Sequence, residues 1–354
     1  MKILVRTDAS VEIGSGHLMR CLTLADQLRC EGAEVAFICR DLPGGMFDLL
    51  SVRGYRFAKL PLAEVEKVTQ QHDAGETNKA AAQLFPDGVD WLVVDHYQLD
   101  AAWERALRPC ARKLMVIDDL ANRPHDCDLL LDQNYYRDME RRYQGLVPEG
   151  CVTLLGPKYV LLRPEFATAK QKLRVRDGTV RRILIFFGGS DSTNQTRKAL
   201  DAVKLIARPE ISVDVVVGAG NPYRNEILSL CNEMPSTQFH CQVSNMAELI
   251  EAADLAVGAG GVTTWERCSL ALPTLTVVLA DNQLQTTLDL EQMGAIEFLG
   301  WEGEITATDL AQAIERLIES PAELKRLSAQ ASVVLGEWQG TETVTAIMKK
   351  ISII

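Results

Sequence analysis

Leu255-Ala256-Val257-Gly258-Ala259-Gly260-Gly261-Val262-Thr263-Thr264-Trp265-Glu266 passes from a short apolar run through three glycines into two threonines and a glutamate. It reads as a strand, a tight turn and the first turn of a helix, the order expected at the carboxyl end of a parallel strand. Backbone N–H groups from Gly260 through Gly261 to Thr263 and Thr264 would lack helical partners and would suit a diphosphate. Glu266 falls one turn deeper. Its carboxylate can accept both hydroxyls of a ribose, or it can simply complement the positive end of the helix. Three glycines have little packing reason to cluster there, which favours the ligand reading.

The same strand-to-helix alternation extends on both sides of this stretch. Upstream, Ile183–Phe187, Val213–Val217 and Gln238–Cys241 read as strands, and Thr274–Leu279 follows downstream. Helical patterns separate them at Gln195–Ala207, Arg224–Asn232, Met246–Ala252, Thr263–Leu270 and Gln285–Met293, and the tail beyond Ala307 is helical. The first half repeats the scheme, with strands at Lys2–Thr7, Glu34–Cys39, Trp91–Asp95, Lys113–Asp118, Leu129–Leu131 and Val152–Leu155 and a helix from His17 to Cys30. Continuous apolar strands alternating with helices indicate parallel sheets covered on both faces. The expected architecture is α/β, with two doubly wound, Rossmann-like domains, 1–168 and 169–354, joined through a basic stretch near Lys170–Arg182. The helical tail is assigned to the second.

The 354 residues exceed the usual size of one domain, and 47% hydrophobic with 24% charged residues is ordinary for a packed protein. A formal net charge of −11 argues against nucleic acid or an anionic membrane as partner, but backbone N–H groups can still hold one diphosphate. The nine cysteines form no C-x-x-C pair and read as reduced, mostly buried thiols. Without a leader-like start or a membrane-length apolar run, the expected location is the cytoplasm. Oligomeric state leaves no signal.

Several other loops end strands, where ligands of such sheets sit. In Asp8–His17, Gly14 and Gly16 flank Ser15 and allow close backbone approach, while His17 opens the next helix. Leu18 and Leu22 would face the core and turn the imidazole outward. The helix dipole there disfavours imidazolium, leaving a ring able to accept a proton. Taken alone, His17 fits a structural and a catalytic role equally. Phe187-Gly188-Gly189-Ser190-Asp191-Ser192-Thr193-Asn194 lacks the lysine of an ATPase loop. It fits one phosphate site or a tight turn capped by Asn194. Asp281-Asn282-Gln283 follows a strand, as do Asp95-His96-Tyr97, Asp118-Asp119 and Asp132-Gln133-Asn134. These polar groups suit a small polyhydroxylated ligand, and surface turns have the same composition. His125 reads as a turn residue, and His72 and His240 have no evident partners. No spacing supports a metal site, and none is expected; no cofactor is expected either.

Together, Arg6-Thr7-Asp8-Ala9, Gly14-Ser15-Gly16-His17-Leu18-Met19-Arg20-Cys21, Val94-Asp95-His96-Tyr97, Ile117-Asp118-Asp119, Leu131-Asp132-Gln133-Asn134 and Leu161-Leu162-Arg163-Pro164-Glu165-Phe166 resemble the UDP-2,4-diacetamido-2,4,6-trideoxy-β-L-altropyranose hydrolases of bacterial pseudaminic acid biosynthesis. The resemblance runs from the first residues to Asp281-Asn282-Gln283. It implies a GT-B fold, two domains facing across a cleft, and a metal-independent hydrolase that releases UDP with inversion. It implies His17 as general base, Glu266 as ribose ligand, and Gly188, Gly189, Ser190 and the Gly260–Thr264 loop as phosphate contacts. Arg20, Asp95, Tyr97, Gln133, Asn134, Asn282 and Gln283 complete the expected substrate contacts. A GT-B glycosyltransferase and a non-catalytic UDP-sugar binding protein are the alternatives.

Overall fold

A computed structural model describes residues 1–10, 12–62, 69–338 and 340–353; Val11, within the first loop, lies outside them. The chain divides into two compact units, one of residues 1–134, 138–161 and 339–354 and the other of 135–137 and 162–338.

The first unit holds a seven-stranded sheet of β1 (Lys2–Thr7), β2 (Glu34–Arg40), β3 (Arg56–Leu60), β4 (Val89–Asp95), β5 (Ala111–Ile117), β6 (Leu129–Asp132) and β7 (Val152–Leu155). Its order is β3-β2-β1-β4-β5-β6-β7, and every pairing is parallel. Alternate side chains supply cores on opposite faces: Ile3 and Val5 pack in one cluster, Leu4 in the other. Burial on both faces explains why these strands read as unbroken apolar runs. Strand order reverses between β1 and β4, so the loops after these two strands flank the sheet's switch point, where ligands of doubly wound sheets bind.

The second unit repeats the plan with β8 (Arg182–Phe186), β9 (Ser212–Val217), β10 (Thr237–Cys241), β11 (Leu255–Ala259), β12 (Thr274–Val278) and β13 (Glu297–Trp301). The order β10-β9-β8-β11-β12-β13 is again parallel and places its switch point between β8 and β11. The loops at 187–194 and 258–266 follow these two strands. Edge strands β3 and β13 escape the sequence pattern because neither is an apolar run: Arg56-Phe57-Ala58-Lys59-Leu60 mixes charge with apolar residues, and β13 is half-buried throughout.

One segment departs from the expected division. The closing helix Glu342–Ser352, read from the sequence as the tail of the second domain, belongs to the first unit. Val344 and Met348 enter the first core, Trp91 Nε1 donates to Ser352 Oγ at 2.7 Å, and Lys349 pairs with Glu31 at 2.7 Å. The basic stretch is anchored too. Arg176 is buried and donates to the carbonyls of Ile250, Ala253, Leu270 and Ala271, which fastens the start of the second unit to its own helices. No helix among the described residues is long and apolar enough to cross a membrane.

Candidate active site

In the first unit the loop after β1 is folded on itself. Gly14 N donates to Ser10 O at 2.9 Å, while Ser10 Oγ accepts from Ile13 N at 2.9 Å. Gly14 sits at φ +79°, a conformation that favours glycine. The helix Gly16–Cys30 then starts at Ser15 without a side-chain cap. Leu18 and Leu22 are buried in the core, as their spacing requires, and His17 stands beside Asp95 at the end of β4.

His17 Nδ1 lies 2.5 Å from Asp95 Oδ1. Arg20, one helical turn on, grips the same carboxylate twice, from Nε to Oδ2 at 2.6 Å and from Nη2 to Oδ1 at 2.7 Å. Its Nη1 donates to Asp119 Oδ2 at 2.9 Å. Burial raises the Asp95 carboxyl, but Arg20 and then His17 outweigh it and hold the group well below the usual carboxylate range. Asp95 is therefore ionised and accepts the Nδ1 proton. In the neutral ring that tautomer leaves a lone pair on Nε2, which makes no hydrogen bond among the described residues. The Tyr97 ring stands edge-on to the imidazole, centroids 4.4 Å apart at 82°, and walls one side of it. Burial, then Asp119, pushes the Tyr97 phenol up, so it stays neutral.

The neighbouring strand ends interlock. Asp8 accepts from Arg6 at 2.5 Å and from Arg40 N at 2.7 Å and faces His96 Nε2 at 3.1 Å. Tyr143 Oη lies 3.0 Å from Asp118 Oδ2 and 3.1 Å from Asp132 Oδ2. The hydroxyl has one proton to share between the two carboxylates, and burial, then Asp119, pushes the Asp132 carboxyl up to about 7, against the Asn134 N–H and Arg142. Gln133 is buried, and its Oε1 accepts from Leu161 N at 3.1 Å. Asp95 has no exposed side-chain surface. The Asp95 carboxylate is thus engaged inside the protein, whereas Gln133, held at Oε1, keeps a buried Nε2 with no hydrogen-bond partner among the described residues. His125 is no turn residue of the surface: it is buried, with Nδ1 2.6 Å from Glu104 Oε1. His240 and His72 also find partners, in Asp214 at 2.9 Å and Glu76 at 3.1 Å.

In the second unit the two glycine-rich loops differ. After β8, Gly188 takes φ +93°, and Asp191, at φ +41°, folds back onto the next helix. Its two oxygens accept from Gln195 N and Thr196 N, both at 2.9 Å, and Asn194 Oδ1 accepts from Arg197 N at 3.3 Å. The helix Gln195–Ile206 is thereby capped by its own loop, which is the turn reading of this segment.

After β11 the helix Val262–Ser269 starts at Gly261, φ +95°, with no side-chain cap. Of the amides expected to be open, Gly260 N donates to Val277 O at 3.3 Å and Thr264 N to Gly261 O at 3.0 Å. Those of Gly261, Val262 and Thr263 have no partner among the described residues. Two of the three glycines, Gly258 and Gly260, do have packing reasons, contrary to the expectation. A Cβ at Gly258 would come within 2.4 Å of Phe186 O on β8, and one at Gly260 within 3.1 Å of Gln283 Cβ. Gln283 is thus packed against the loop, its Oε1 accepting from Leu279 N at 3.1 Å. It belongs to the helix Asp281–Gln292, whose first turn also carries Asn282.

Glu266 receives Arg163 Nη2 at 3.2 Å, and burial raises its carboxyl against the pull of Arg163. Arg267 lies beneath the loop, 3% exposed. Its Nη2 donates to Ala259 O at 2.6 Å and Thr264 Oγ1 at 3.2 Å, and Nη1 to Thr263 Oγ1 at 3.3 Å. Arg163, present in the sequence only as part of its motif, was not foreseen as the partner of Glu266, and Arg267 was not foreseen at all, although the 263–267 spacing is that of side chains one helical turn apart. Among the described residues, no group of three or more His, Cys, Asp or Glu is placed to hold a metal ion.

Two parallel-sheet α/β units, each with its loops at the switch point, define a GT-B fold, and solved structures agree. The crystal structure of Acinetobacter baumannii MurG superposes with a TM-score of 0.65 at 15% identity, over 99% of this chain and all of that one. Residues 183–349 match the glycosyltransferase family 28 C-terminal domain. The chain is 24% identical over 298 residues to the UDP-2,4-diacetamido-2,4,6-trideoxy-β-L-altropyranose hydrolase of Campylobacter jejuni, covering 83% of this chain and 97% of that one. It is 27% identical over 291 residues to MJ1062 of Methanocaldococcus jannaschii, 80% of this chain but only 57% of that protein's length.

Proposed function

We propose that the protein hydrolyses a UDP-activated sugar, with His17 as general base. The observation that carries this reading is the Asp95-held imidazole, whose Nε2 is left open. In the proposed step Nε2 takes a proton from water as the water oxygen bonds to the anomeric carbon. The bond from that carbon to the diphosphate oxygen breaks, the configuration inverts, and UDP leaves as the anion. Such base catalysis is worth roughly 10²- to 10⁴-fold. Asp95 would stabilise the imidazolium that forms.

The second unit would hold the nucleotide. Open amides at Gly261, Val262 and Thr263 suit the diphosphate, with Gly188, Gly189 and Ser190 as further phosphate contacts. Glu266 would accept the ribose hydroxyls, and Asn282 and Gln283 would border the same ligand. In the first unit Gly14, Ser15, Gly16, Tyr97 and Asn134 would surround the sugar, with Arg20 fixing Asp95. Likeness to the Campylobacter hydrolase supports a diacetamido-trideoxy hexose as the sugar. The family 28 match supports a second reading, transfer to an acceptor hydroxyl activated by the same base.

The test is incubation with UDP-sugars in chelator and without acceptor, followed by detection of UDP and NMR of the released anomer. UDP release that His17→Asn abolishes, with UDP affinity kept, is the expected result. Release by His17→Asn at the wild-type rate would end the assignment. Release only on adding an acceptor would favour transfer.

A further inference from the structure

Arg267 is a buried cation without an ion pair, with Glu266 acting on it only from beyond contact distance. Among the described residues no carboxylate lies within ion-pair distance of it, and its Nε, fully enclosed, has no hydrogen-bond partner. Burial draws the guanidinium down to about 10, still charged at neutral pH. An isolated buried charge is costly, and proteins normally pair it. Arg176 is the instructive contrast. It is buried as deeply, but four backbone carbonyls surround it and none of its nitrogens is orphaned.

What Arg267 does touch belongs to the glycine-rich loop. It holds the Ala259 carbonyl from below and donates to the hydroxyl oxygens of Thr263 and Thr264. A hydroxyl that accepts from a cation keeps its own proton to donate elsewhere. Neither threonine hydroxyl donates to a described group, and the half-buried Thr263 lies beside the open amides of Gly261 and Val262.

We propose that Arg267 is a positioning residue for a diphosphate ligand: it orients the Thr263 and Thr264 hydroxyls as donors and supplies from beneath the loop the charge that the ligand's anion balances. This rests on the nucleotide reading and adds to it a residue that need not touch the ligand. The consequence is selective: Arg267 serves the phosphates and not the nucleoside.

The experiment is calorimetric titration of the full chain with UDP and, separately, with uridine. Arg267→Met is expected to weaken UDP binding by about 10- to 100-fold, the range for hydrogen bonds involving charged groups, and to leave uridine within about twofold. Thr263→Val is expected to lose severalfold on UDP alone, and to add nothing further in the Arg267→Met background. A folded Arg267→Met chain, checked by thermal melting, that keeps the wild-type UDP-to-uridine ratio overturns the proposal. If that variant does not fold, an unchanged ratio in Thr263→Val overturns it instead. Wild-type protein that binds neither ligand removes the nucleotide reading, and this inference with it. Wild-type preference for UDP beside variants that retain it removes only the role of Arg267.

Discussion

At the carboxyl ends of its strands the first unit crowds charged side chains together, whereas the second leaves bare backbone. Around β1, β4, β5 and β6, Asp8, Asp95, Asp118, Asp119 and Asp132 are buried and held by Arg6, Arg20, Arg123, Arg142 and Tyr143. Beside that lattice His17 Nε2 makes no hydrogen bond among the described residues. Around β11 the open groups are amides and the hydroxyls of two threonines. In the proposed function the first arrangement would fix the reactive atom, and the second would offer many weak donors to an anion. The two loops of the second unit sharpen the point, since both are rich in glycine but only one leaves its helix uncapped. Glycine content marks a close turn. An anion site needs N–H groups that the loop has not already used.

The contrast is tested most strongly at Asp95. Asp95→Asn should lower the rate of UDP release by roughly 10²-fold or more, because the wrong imidazole tautomer is then held. UDP affinity should stay within about twofold by titration, and a parallel loss of affinity would mean that the first unit's lattice serves nucleotide binding as well. Asp132 tests whether the lattice depends on a shared proton. Its folded carboxyl is raised to about 7, well above the usual carboxylate range, so its contribution is present below the unfolded value and is lost as pH rises through 7. Asp132→Asn should therefore remove a loss of stability of about 2–3 kcal/mol between pH 5 and pH 8.5, read from urea midpoints. A wild-type midpoint that does not fall over that range counts against the neutral carboxyl.

Smaller effects are expected in the second unit. Glu266→Ala should weaken UDP binding by about 1–3 kcal/mol through an unpaired ribose while leaving inorganic pyrophosphate binding unchanged; equal losses on both would place Glu266 elsewhere. Asp191→Ala should cost about 1–2 kcal/mol of stability by uncapping Gln195–Ile206. UDP affinity should move by no more than a few-fold. A large affinity loss there would erase the distinction between the two loops.

Sequence carried the architecture because a strand buried on both faces must be apolar along its length, as Leu92-Val93-Val94 and Leu129-Leu130-Leu131 are. It carried the loops because glycine and polar residues interrupt those runs where the strands end. It did not carry partners that meet only in the folded chain. Arg267 looks like one more charge on a helix until burial shows it beneath the loop. His125 and Glu104 are far apart in sequence and meet only inside the first unit. The clustering of the three glycines was not the mark of a ligand that it looked like, since Gly258 is small to let β8 pass.

The helix Glu342–Ser352 has a consequence for how the chain is made. Its Val344 and Met348 complete a core whose other members precede residue 162. During translation, at ~5–20 residues per second, the whole second unit emerges before that core receives its cover, a delay on the order of ten seconds or more. The second unit can therefore finish folding first, while the first unit waits for a helix that follows the second unit in the chain before its core is closed.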